Sequence, residues 1–196
     1  MLMTKTRHAI HDEDADLVIA WRQGNTSAFE ELVKKYQKRM FNIAYRCTGN
    51  YEDACEVTED AFVAAYRGRN SFRGAVRFSA WLTGITVKLS RTRHGATPAG
   101  RTGSSPSSHV RMAGGGNVTG LAPELPEWHD LSGRIQGCLD SLDAETREMV
   151  VLRDVEGFPY GEICEILAIR EGTINTRLTK ARELVKDCLK PAAGAL

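Results

Sequence analysis

Between Ala61 and Pro123 the chain has no aspartate and no glutamate. Of its 25 acids, 11 lie in residues 1–60 and 14 in residues 124–196. The acid-free interval still carries Arg67, Arg69, Arg73, Arg77, Lys88, Arg91, Arg93, Arg101 and Arg111. A net charge of +1 therefore hides a local positive field suited to a polyanion. No two of Cys47, Cys55, Cys138, Cys164 and Cys188 have CxxC spacing, and no His stands at zinc-ligand spacing from a Cys pair. Their odd number reads as reduced thiols, several in helical core positions. No Ser/His/Asp order, glycine phosphate loop or metal cluster rises above background, so no catalytic residue, metal or cofactor is expected. No apolar run approaches a bilayer span, and the first dozen residues lack a signal-peptide apolar region, which gives a cytoplasmic reading. Neither an alternating strand pattern nor a repeat occurs; every element reads as helical.

What is present falls into two helical blocks. Residues 1–12 are polar and read as frayed. Asp14 to Trp21 reads as a short helix with acids at its start and Gly24 past its end. Thr26 or Ser27 is the candidate cap of the next helix, whose buried stripe is Phe29, Leu32, Val33, Tyr36, Met40, Ile43 and Ala44. Its other face is basic, with Lys34, Lys35, Lys38, Arg39 and Arg46, and Gly49-Asn50 ends it. A third helix from Glu52 to about Arg67 buries Ala54, Val57, Ala61, Phe62 and Ala65 and turns Glu56, Glu59 and Asp60 outward. The loop Gly68 to Gly74 places Phe72 between Arg69 and Arg73, beside Asn70. Cations around one ring suit an unpaired nucleic-acid strand, although the same ring can plug the core beneath the loop. Arg77 to Arg93 resumes a helix, with Trp81 on the face of Phe78, Leu82 and Ile85 and so favoured as core.

Residues 95–127, rich in Gly, Ser, Pro and Thr, read as a linker between domains. The second block starts near Trp128. Its first stripe is Leu131, Ile135, Cys138, Leu139 and Leu142; Asp143 caps the next helix, with stripe Met149, Val150, Leu152 and Val155. After Gly157, Phe158-Pro159 leads into two short helices at a tight corner, with Ile163/Leu167 and Ile174/Leu178 four apart on their inner faces. The second of these carries Asn175, Thr176, Thr179, Lys180 and Arg182, side chains able to reach base edges and phosphates. This is the pattern of a helix-turn-helix with a DNA-reading second helix.

Short motifs occur in a fixed order. Gly24-Asn-Thr-Ser-Ala-Phe-Glu-Glu-Leu-Val33 comes first, then Glu52-Asp-Ala-Cys-Glu-Val-Thr-Glu-Asp-Ala-Phe62 with Ala65-Tyr66-Arg67. Phe72-Arg-Gly74, Arg77-Phe78 and Trp81-Leu82 follow. Leu139-Asp-Ser-Leu142, Arg147-Glu148, Leu152-Arg153, Val155-Glu-Gly157, Glu162-Ile163 and Gly172-Thr-Ile-Asn-Thr-Arg-Leu178 complete the series. Together they resemble the extracytoplasmic-function (ECF) sigma factors of bacterial RNA polymerase, over roughly residues 14–93 and 128–189.

The resemblance implies an all-α fold with a region 2 domain at 1–94, a flexible linker at 95–127 and a region 4 helix-turn-helix domain at 128–196. It implies an alternative-sigma initiation factor, not an enzyme, whose partners are core RNA polymerase, promoter DNA and an anti-sigma factor. Glu56, Glu59 and Asp60 would meet the polymerase. Gly68, Arg69, Asn70, Phe72, Arg73, Arg77, Trp81, Thr83, Lys88 and Arg91 would hold the single-stranded minus-10 element. Thr173, Asn175, Thr176, Arg177, Thr179, Lys180 and Arg182 would meet the minus-35 duplex, Arg177 and Arg182 mainly through its backbone. Thr83, Gly84, Lys88, Pro159 and Asn175 depart from the family's common residues. The alternative is an autonomous helix-turn-helix regulator with a sensor or dimerisation domain, which has no need of an acid-free basic stretch after an acidic helix.

Overall fold

The computed structural model of the chain describes residues 12–95 and 126–190, and every regular element among them is helical. The central part of the linker, with Arg101 and Arg111, lies outside the described residues, as do both tails. The first domain comprises α1 (Ala15–Arg22), α2 (Thr26–Thr48), α3 (Tyr51–Arg67) and α4 (Phe78–Gly95). The second comprises α5 (Pro126–Asp140), α6 (Ala144–Val150), α7 (Tyr160–Leu167) and α8 (Glu171–Leu189). None of these helices is long and apolar enough to cross a membrane.

In the first domain α2 is the axis. Its cap is Asn25, whose side chain accepts from Ala28 N at 3.2 Å, one residue earlier than Thr26. Gly49 ends it in the left-handed region at φ 70°, and an added Cβ would stand 3.1 Å from the Asp140 carboxylate of α5. Asn50 then caps α3 through Asp53 N at 3.0 Å. The expected apolar stripes of α2 and α3 are buried, with Val33 only half-buried. Trp21 sits at the centre, its ring 5.3 Å from Phe29 and 5.6 Å from Phe78. Asp12 is anchored, not frayed: its carboxylate accepts from Phe78 N at 2.7 Å at the start of α4. Asp14 is buried and accepts from Lys35 Nζ at 2.6 Å and from the Tyr36 hydroxyl. Burial, together with that carboxylate, pushes the Tyr36 phenol well above its ordinary value.

In the second domain Asp143 caps α6 as expected, accepting from Thr146 N at 3.1 Å. The expected α6 stripe fails at its end. Val151–Val155 form a π turn, closed by Glu156 N donating to Val151 O at 3.0 Å. The wider turn shifts the register, so Val151 is buried and Val155 is 50% exposed. Phe158 then fills the core, and Pro159 stands at the cap of α7, one position before the first turn. Ala168 makes the corner to α8 in the left-handed region at φ 55°. The cysteine reading is corrected here. Cys138 on α5 and Cys188 on α8, 50 residues apart, form a disulfide with their Cα atoms 5.7 Å apart, leaving Cys47, Cys55 and Cys164 free. Only the crossing of the two helices brings them together, so their sequence spacing gave no sign of it.

The two domains pack against each other. Arg147, 3% exposed, donates to the carbonyls of Leu139, Asp140 and Leu142 at 2.9–3.2 Å within its own domain. It also donates to Cys47 O in the last turn of α2 at 3.0 Å. Arg46 of α2 donates to Ser132 and Gln136 of α5 at 3.2–3.3 Å. Arg39 pairs with Glu156 at 2.8 Å and lies 4.6 Å over the Phe158 ring. The basic face of α2 is thus partly a seat for the second domain.

The Asp143 cap yields a test. Its hydrogen bonds with Thr146, only partly opposed by burial, hold the carboxyl below its ordinary value. A depressed folded-state value gives stability above the unfolded carboxylate range, lost as pH falls through the folded value. Urea unfolding of Asp143→Ala should show a loss of about 1 kcal/mol at neutral pH. The gap from the native chain should narrow below the ordinary carboxylate range.

Candidate nucleic-acid interface

The sequence-local excess of cations is compensated in space at three positions. Arg77, at the start of α4, donates two parallel hydrogen bonds to Glu162 of α7, at 2.7 and 2.6 Å. Arg91, near the end of α4, grips both carboxylate oxygens of Glu148 at 2.5–3.0 Å. Glu148 is 3% exposed, so this pair is charge-assisted and largely out of water on the acid's side. Donating to the Glu148 carboxylate raises the Arg91 guanidinium above its ordinary value, and donating to Glu162 does the same for Arg77. Arg93 bridges Glu56 and Asp60 of α3, at 3.4 Å to the latter. Three cations of the acid-free stretch are therefore engaged by acids from distant parts of the chain.

The remaining minus-10 candidates divide by burial. Asn70, Arg73 and Lys88 are exposed, and Gly68 and Arg69 half-buried. Phe72 is not available for stacking: it is 4% exposed, its ring 5.2 Å from Trp81 and 5.9 Å from Phe78. The loop is short, and the aromatic cluster around Trp21 leaves room that its ring fills. Trp81 is half-buried in the same cluster. Thr83 is fully buried, and its hydroxyl has no partner among the described residues. The buried stripe of α4 is broad, taking in Phe78, Leu82, Thr83, Thr86 and Val87, so Thr83 is part of the core and not of the surface. Thr86 and Ser90 resolve the same problem by donating to the carbonyls of Leu82 and Thr86.

Glu56, Glu59 and Asp60 share an exposed face of α3. On the other domain, Ile163 and Leu167 of α7 pack with Ile174, Leu178 and Ala181 of α8, fixing α8 by its inner face. Its outer face presents Asn175, Thr176, Thr179 and Lys180 to solvent, with Thr173 half-buried at its edge. Thr179 donates back to Asn175 O at 2.9 Å. Arg177 pairs with Glu145, and Arg182 makes two hydrogen bonds to Asp154 at 2.6 and 3.0 Å. Asn175, Thr176 and Lys180 are thus the outward groups free to turn toward a groove.

Of the partner acids, Glu148 and Glu162 stand in the ordered motifs without a role of their own, and Glu145 and Asp154 carry no signal in the sequence. Glu148 has a further one, as a charge set beside the buried run Met149, Val150, Val151 and Leu152.

Residues 32–95 match the family "Sigma-70 region 2" and residues 132–185 match "Sigma-70, region 4". The chain is 30% identical over 189 residues to the ECF RNA polymerase sigma-E factor of Escherichia coli K12, covering 91% of this chain and 95% of that protein. The chain belongs to the ECF sigma factors of RNA polymerase. A second relative, the ECF sigma factor SigE of Mycolicibacterium smegmatis, is 32% identical over 171 residues. That match covers 85% of this chain but 63% of the longer SigE. Among solved structures, CnrH in complex with the cytosolic domain of CnrY shares the fold, with a TM-score of 0.70 and 22% identity. It is covered in full, against 93% of this chain. The sigma factor is thus a transcription initiation protein of the alternative type, with region 2 in its first helical domain and region 4 in its second.

The ion pairs of this sigma factor should differ in strength by burial. A double-mutant cycle on Arg91→Ala and Glu148→Ala should give a coupling of at least about 1.5 kcal/mol. The exposed pair Arg182–Asp154 should give less than about 1 kcal/mol, falling further in high salt.

Proposed function

We propose that this sigma factor binds core RNA polymerase, directs it to promoters by a minus-35 and a minus-10 element, and helps open the DNA. Its domains would span residues 1–94 and 128–196, on a flexible linker at 95–127. The reading rests on one observation above the rest: α8 is fixed by a buried inner face while Asn175, Thr176 and Lys180 point outward from it. The Asn175 amide is the group suited to an adenine edge, the Lys180 ammonium to phosphate, and the Thr176 hydroxyl to either. Arg177 and Arg182 meet backbone after exchanging Glu145 and Asp154 for phosphates. Glu56, Glu59 and Asp60 dock on a basic element of the polymerase, displacing Arg93.

In the first domain the single strand is held by Asn70, Arg73 and Lys88, joined by Arg69, Arg77 and Arg91. Phe72 and Thr83 support that surface from beneath. Arg77 and Arg91 must release Glu162 and Glu148 before they can hold DNA, so promoter engagement and separation of the domains are one coupled event. The anionic strand and the acids compete for the same two guanidinium groups. The family resemblance supports a cytoplasmic location and an anti-sigma partner; a partner that keeps the domains closed would keep both cations occupied.

In vitro transcription over randomised promoters is the direct test. Specific transcripts should appear only when core polymerase and the sigma factor are both present; equal sequence-specific binding and regulation without polymerase would sink the reading. Within that assay, Asn175→Ala should relax selection at one minus-35 position by about 1–3 kcal/mol. Lys180→Ala should weaken binding uniformly across sequences and reduce the salt slope by about 1.

A further inference from the structure

The disulfide lies apart from every surface assigned above. Cys138 is buried on the inner face of α5, while Cys188 is exposed in the last turn of α8. Cys188 also falls outside residues 132–185, the part that matches region 4. Two other contacts hold the same neighbourhood. Arg134 of α5 donates to Leu189 O at 3.0 Å, and on the far side of α5 Ser132 and Gln136 accept from Arg46 of α2. Helix α5 is therefore the layer between the first domain and the carboxyl end of the recognition helix. The other thiols are poor rivals. Burial pushes the Cys47 thiol up to about 12, and burial also raises Cys55 and Cys164.

We propose that Cys138 and Cys188 are a reversible dithiol–disulfide site, oxidised by low-molecular-weight disulfides, whose bond fastens the end of α8 to α5. The exposed Cys188 thiolate attacks one sulfur of a small disulfide RSSR, forming a mixed disulfide and releasing RS⁻. The Cys138 thiol loses its proton and attacks the Cys188 sulfur, releasing the second RS⁻. Two protein thiols give up two electrons and two protons, and RSSR becomes two RSH. A small thiol reverses both steps, entering at the exposed Cys188. The amino-terminal half of α8 stays seated in both states through Ile174, Leu178 and Ala181. What changes is the carboxyl half, which in the oxidised chain moves as one piece with α5.

The test uses the full chain, without DNA or polymerase, so its outcome is independent of the promoter reading. The chain is equilibrated in dithiothreitol or in oxidised glutathione, its thiols are counted after denaturation, and its peptides are mapped without reduction. Five thiols are expected in the first buffer and three in the second, with Cys138–Cys188 as the new cross-link. Oxidation should raise Tm by at least about 5 °C and slow amide exchange at residues 183–189. Cys188→Ser, at an exposed position, should show neither response. The proposal fails if five thiols persist in oxidised glutathione, or if glutathione remains on Cys188. It also fails if a different pair forms, or if dithiothreitol leaves the native bond intact.

Discussion

Two adjacent charged residues, both nearly out of water, set the arrangement of this molecule. Arg147 and Glu148 follow one another on α6 and point different ways. Arg147 satisfies three carbonyls in its own domain and one at the end of α2, whereas Glu148 accepts through both its oxygens from the Arg91 guanidinium. A buried charge pair adds little net stability over an apolar contact, yet leaving one partner alone costs several kcal/mol. Its effect is therefore on which arrangement is allowed. With Arg91 and the Cys47 carbonyl in place the domains can dock in one register, and the outer pairs Arg39–Glu156 and Arg77–Glu162 fall into line with it.

Under the proposed function, the same economy would let one chain serve a closed and an open state. Guanidinium groups that meet carboxylates across the domain boundary are chemically suited to meet phosphates. Opening removes neither charge from a partner for long, provided an anionic strand or water reaches it. On this view α4 is a strip of cations read first by the sigma factor's own second domain and then by DNA. The acidic face of α3 follows the same logic on a smaller scale, with Arg93 as its internal partner.

Much of this was legible in the residues. Helix stripes, the Asp143 cap, the Gly49 stop and the outward side chains of α8 follow from local rules of period and capping. The misses share a physical cause: each depends on what another element does. Val155 left the core because a π turn slipped the register, which no apolar period announces. Of its two readings Phe72 takes the core one, in the cluster around Trp21, while Thr83 is drawn in by the broad inner face of α4. The acid-free stretch is unbalanced along the chain, but balance is set in three dimensions, by Glu148 and Glu162, each more than 50 residues from the arginine it meets. Cys138 and Cys188 met only because α5 and α8 cross.

On the proposed function, the free sigma factor is closed by these interdomain ion pairs and opens on the polymerase. Spectroscopic labels at the exposed positions 51 on α3 and 184 on α8 would report it through a pulsed dipolar distance measurement. One narrow, short-distance population is expected for the free chain and a longer one once core polymerase is added. A broad distribution that is the same with and without polymerase would contradict it.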